Sequence, residues 1–170
     1  MDRAKITEIV QNFVMGAISL ALAVFMVTYE YAAMGNYAQS SGEGGAGFAV
    51  AAIIMFIFMY IPCGVFFFAL GIGLFVWAWR TYKGEKENRG GEFISNDVKN
   101  IKEKNRSTIL LIVFKAIAAF VCMYFFILTL DTAYDTIVST LVYCVIGIAY
   151  IASVVLTVIH RKKVVAITAE

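Results

Sequence analysis

The sequence predicts an all-α integral membrane protein, a bundle of four transmembrane helices. Composition is the first observation. Hydrophobic residues make up 61% of the 170-residue chain and charged residues 15%, against about 45–50% and ~25% in soluble domains. The second is length without charge. Gly44–Trp79 runs 36 residues without a charged side chain, and three other apolar runs are also long enough to cross a bilayer, for which about 18 residues suffice. The third is charge placement, since the basic residues gather at three points between or beyond these runs.

The first span, about residues 9–31, contains the 21 uncharged residues Ile9–Tyr29. That exceeds a signal-peptide core of about 7–15 residues, so it reads as a retained span rather than a cleaved leader. Ala17 with Ala21, and Ser19 with Ala23, give the small-xxx-small spacing that lets helices approach. Tyr29, Tyr31 and Tyr37 fit an interfacial aromatic belt. Residues 34–47 are rich in Gly, Ser and Asn and read as a flexible connection.

The second span, about 46–80, is too long. As a straight helix the 36-residue run would measure roughly 54 Å against ~30 Å of hydrocarbon. It holds the only proline, Pro62. A proline lacks the backbone N–H and collides with the carbonyl four residues back, here that of Phe58. A long helix kinked at Pro62 is expected, with halves near 46–61 and 63–80; a re-entrant hairpin is the alternative. Gly64 and Gly71 recur at a seven-residue interval with Ala78 and smooth one face. The surplus length falls before Pro62, so Phe56, Phe58 and Tyr60, together with Gly64 and Gly71, are the expected packing surface for a partner or a second copy.

A cytoplasmic loop, 81–106, follows. From Arg80 to Arg106 eight basic residues alternate with five acids. Ile94, Val98 and Ile101 share a helical face, and Asn96 suits an N-cap, which predicts a short amphipathic helix near 97–106. Residues 94–106 then meet anionic lipid or a soluble partner, or form an ordinary solvated linker. The third span, 107–130, is interrupted only by Lys115. A tight turn at Asp131–Asp135 leads to the fourth, 135–159, and His160-Arg161-Lys162-Lys163 closes it. Thr28-x-Glu30-x-Ala32 and Thr129-x-Asp131-x-Ala133 echo each other at the ends of spans one and three; a two-plus-two duplication or shared interface chemistry accounts for the match.

Of the 14 basic residues, all but Lys115 fall on one side of a four-span arrangement. The positive-inside rule makes that side, with both termini, cytoplasmic, in a cell inner or plasma membrane. Glu30, Glu43, Asp131 and Asp135 share the opposite side with no basic residue. They form either an acidic mouth that concentrates cations or the residue of a rule that excludes Lys and Arg there.

Lys115 is the sharpest candidate for function, since an ionisable residue within a span is a functional hypothesis by default. It stands 16 residues before Asp131, hence only about 6 Å inside the cytoplasmic boundary. Three readings stay open: snorkelling to the interface, a structural pair with Glu8 or a partner contact, or substrate or proton coupling. Its small neighbours Ala118, Ala119 and Cys122 point it toward another helix. With Pro62, Glu30 and Asp131 it completes the candidate set. Ser19, Thr28, Tyr60, Tyr124, Ser139, Tyr143, Ser153 and Thr157 are polar residues within spans, expected to bond between helices or to their own backbone.

No nucleophile elbow, zinc-protease helix or phosphate loop occurs, and Cys63, Cys122 and Cys144 lie singly in apolar runs. No enzymatic activity, cofactor, metal or nucleic acid is expected. The expected role is a non-enzymatic subunit, scaffold or accessory component that binds another membrane polypeptide or its own copies in the bilayer. The alternative is a small oligomeric transporter or channel with an acidic outer face and Lys115 near its inner end. The topology has a direct check: Asn105-Arg106-Ser107 is the only N-glycosylation sequon, and it stays unglycosylated in a eukaryotic microsome assay if the 81–106 loop is cytoplasmic.

Overall fold

The computed structural model describes residues 3–40, 45–88, 97–131 and 137–167, and all of them are helical. Helix α1 is Arg3–Ser40 and α2 is Gly45–Met55; a π turn, Phe56–Tyr60, joins α2 to α3, Ile61–Asn88. Helix α4 is Asp97–Asp131 and α5 is Ile137–Ile167. Four stretches are long and apolar enough to cross a membrane: Ile6–Ala33, Ile53–Lys83, Thr108–Leu130 and Ile137–Ile159. Among the described residues there is no strand.

The connection between the first two spans is shorter than its composition predicts. Helix α1 continues through Gly35 and Asn36 to Ser40, and α2 begins at Gly45. A mid-helix glycine costs about 1 kcal/mol, and Gly35 stands open, with nothing within 4 Å of its Cβ position, yet the helix continues through it. Helix α1 runs along α2, and Tyr31 meets Phe56 with ring centroids 5.3 Å apart. The surplus length of the second span therefore has a companion within the chain.

The proline is accommodated by a wider turn. The Ile61 N–H donates to the carbonyl of Phe56, five residues back rather than four. This π turn ends one residue before Ile61-Pro62, and helical geometry resumes through the proline. Single π turns commonly interrupt α-helices in this way. The helix expected near 97–106 does start at Asp97, yet it runs without interruption into the third span. Its face cannot be assigned, because the side chains of 97–107 lie outside the described residues, as do residues 89–96 and 132–136.

The bundle consists of two hairpins. Helix α1 packs extensively on α3, and α4 on α5, whereas α3 and α4 barely meet. Glycines set the first hairpin's spacing. A Cβ on Gly71 would stand 2.8 Å from Leu20 Cγ and 3.0 Å from the Gly16 carbonyl oxygen, and one on Gly64 3.0 Å from Val27 Cγ2. In the second hairpin Gly147 lies under Met123. Leu22, Met26, Phe67, Leu74, Cys122 and Phe125 form the centre of the core. The outer surface is apolar as well: Phe58, Phe120 and Ile137 are 73%, 74% and 78% exposed.

Enlarging Gly71 must push α1 and α3 apart. Gly71→Leu is expected to lower unfolding free energy in detergent by roughly 1–3 kcal/mol, the usual cost of overpacking. Gly73 has nothing within 4 Å of its Cβ position, so Gly73→Ala is the control and leaves stability unchanged or slightly raised.

Candidate functional site

Buried polar residues form a seam along the contact of α1 with α5. On α1 the buried positions include Asn12, Ser19 and Glu30; on α5 they include Ser139, Tyr143, Tyr150, Ser153 and Thr157; α4 adds Lys115 and Thr129. Seven residues separate Asn12 from Ser19 and eleven separate Ser19 from Glu30. Both intervals are close to whole numbers of helical turns, so one stripe of α1 carries all three.

Three rungs cross between the hairpins in antiparallel order. At the first, Gln11 Nε2 donates to both the carbonyl and Oγ of Ser153, at 2.9 and 2.8 Å. At the second, Ser19 Oγ gives its proton to the Met15 carbonyl, which leaves Tyr150 Oη to donate to Ser19 Oγ. At the third, Tyr143 Oη donates to Glu30 Oε1 at 2.9 Å. The ring of Tyr143 is held by Phe125, stacked at 5.3 Å, and by the edge contact of Phe25 at 6.1 Å. Between the second and third rungs the core is apolar, with Leu22, Met26 and Phe67 fully or almost fully buried.

Lys115 lies at the same end as the first rung. It is fully buried, so its amine stays inside the protein instead of reaching the surface along its stem. Its Nζ donates to Thr157 Oγ1 at 3.5 Å, the long limit of a hydrogen bond. Thr157 in turn donates to the Ser153 carbonyl at 2.8 Å. That carbonyl thus accepts from Thr157 and Gln11 together, tying Lys115 to the α1–α5 contact. Asn12 Nδ2 donates to the Glu8 carbonyl at 2.9 Å, while its buried Oδ1 accepts no hydrogen bond among the described residues. A basic amine and an unsatisfied amide oxygen therefore share one end of the seam.

The other candidates separate. Glu30 is buried beneath Tyr143 and faces the interior rather than an open mouth. Glu43 and Asp135 lie outside the described residues, as does the side chain of Asp131. Pro62 is exposed and lines a lateral groove of about 210 Å³ with Phe58, Cys63, Phe120 and Tyr124, where α3 and α4 fail to close. Of the surface expected to pack a partner, Tyr60 is buried against Phe125 at a 5.0 Å ring distance. Gly64 and Gly71 meet α1 of the same chain, Phe56 is half-buried, and Phe58 points outward.

Gln11, Asn12 and Tyr150 are the site residues that sequence reasoning passed over. Their signal was present: two amides within an uncharged run, with Asn12 one turn from Glu8 and two turns from Ser19. Comparison of the chain with family models, curated proteins and solved structures finds no match.

Removing one rung tests the seam. Tyr143→Phe deletes a donor to a buried carboxylate while keeping the ring. The expected cost is about 1–2 kcal/mol of unfolding free energy in detergent, and Glu30→Gln combined with Tyr143→Phe is expected to lose less than the sum of the two single changes.

Proposed function

We propose that the chain is an integral membrane protein crossing the bilayer four times, with both termini cytoplasmic, and that it acts as a non-enzymatic subunit or scaffold for another membrane polypeptide. The long second helix bends at the π turn and Pro62, and crosses once. A cell inner or plasma membrane suits the positive-inside pattern. The observation that carries the reading is the gap between α3 and α4. Phe58 and Phe120 project outward beside it, and the groove between them is apolar. Helices in lipid associate through such shape complementarity, because the lipid tails are as apolar as the side chains. The polar groups of the three rungs meanwhile bond to one another within the chain. That suits an interlock more than a conduit.

A second reading, a small oligomeric transporter or channel, draws on one observation. Lys115 and the unsatisfied Asn12 Oδ1 sit buried at one end of the seam, and intramembrane ionisable groups mark transport paths.

Affinity purification in mild detergent with native mass measurement separates the two. The scaffold reading predicts a complex containing a second polypeptide, lost when Phe58 and Phe120 are both changed to Ala. A complex unaffected by those changes, or an 18.8 kDa chain that travels alone, counts against it. A homo-oligomer whose flux collapses in Lys115→Met at unchanged stability would establish the transport reading.

A further inference from the structure

A second groove lies toward the C-terminal end of α3, away from the Pro62 gap. It has a volume of about 470 Å³ and opens between α1 and α3 near the basic end of the bundle. Its origin is in the small residues of that hairpin. Gly16 and Gly71 bring the two helices together, Phe13 meets Phe75 edge to face at 4.6 Å, and the small, buried Ala78 lines the groove beyond this contact. Ile9, Phe13, Phe75 and Val76 make apolar walls, and Phe13 is 57% exposed. The rim differs in kind. It carries Arg80, exposed, with the rings of Trp79 and Tyr82 6.3 Å apart beside it.

We infer that this groove binds an anionic phospholipid, with an acyl chain along Phe13, Phe75 and Val76 and the phosphate at Arg80. The inference rests on the membrane-spanning reading above. Three features select this occupant. The groove falls in the size range of ligand sites and is apolar along its length with a cation at its end, which is the polarity of a lipid. Trp and Tyr at its rim prefer headgroup depth, where their rings are half in hydrocarbon. The charge is complementary as well: Arg80 opens the basic segment of the chain, and guanidinium matches a phosphate bidentately. Basic pockets between membrane helices on the cytoplasmic side are a recognised setting for anionic headgroups. This site is separate from residues 94–106, since it is built by α1 and α3 alone.

Trp77 and Trp79 are the two tryptophans, so Trp77→Phe leaves a single reporter on the groove rim. That variant is placed in nanodiscs of phosphatidylcholine in which either phosphatidylglycerol or phosphatidylcholine carries brominated chains. Brominated phosphatidylglycerol is expected to quench Trp79 at about fivefold lower mole fraction, the factor that one surface cation contributes. Arg80→Gln should abolish the preference, Arg80→Lys should retain part of it, and added salt should weaken it. Equal quenching by the two lipids, or a preference that survives Arg80→Gln, overturns the site and leaves the membrane-spanning reading intact. Quenching by neither lipid sinks both.

Discussion

A polar side chain inside an apolar bundle must find its partner on the bundle's own helices, and the α1–α5 contact is arranged by that demand. Water is the usual partner for such groups, and burial without one costs several kcal/mol. Gln11, Tyr143 and Tyr150 each meet a partner on the other hairpin. These bonds are few but directional. They fix which face of α5 meets α1 and at what height, which uniform apolar packing would leave loosely specified. The apolar side chains then fill around them.

The two hairpins meet through these bonds and through one apolar core to which both contribute. Within each hairpin, glycines permit close approach: Gly16 and Gly71 in the first, Gly147 in the second. Across the hairpins, Tyr60 of the π turn meets Phe125 of α4 at a 5.0 Å ring distance. The arrangement leaves grooves where small residues or missing contacts prevent closure, one at the Pro62 junction and one above Ala78. Each groove has its own chemistry. The first is lined mostly by apolar side chains. The second ends in Arg80 and suits a lipid with a charged head.

Much of the helical layout was legible in the sequence. The four apolar runs coincide with the four long apolar stretches, because hydropathy and length are summed along the chain and need no neighbour. The start of α4 at Asp97 was legible too. The continuation of α1 to Ser40 was not, since Gly35, Asn36 and Ser40 have the composition of a loop. There α2, packed beside α1, accompanies the continued helix. Pro62 announced an interruption, but the device that absorbs it, a π turn at Phe56–Tyr60, depends on which carbonyl can still find a donor.

The sequence by itself determined the number of apolar helices, the asymmetry of basic charge between their ends, and the presence of Lys115 within one of them. Those properties belong to single segments. Only the tertiary structure decided where Lys115 and Glu30 point. Composition allowed Lys115 to snorkel and Glu30 to line a mouth. Instead both are buried, one reaching Thr157 and the other Tyr143. The reason is that α1, α4 and α5 rotate their polar stripes toward a shared interior. That rotation is a relation between helices, and no one stretch of sequence contains it.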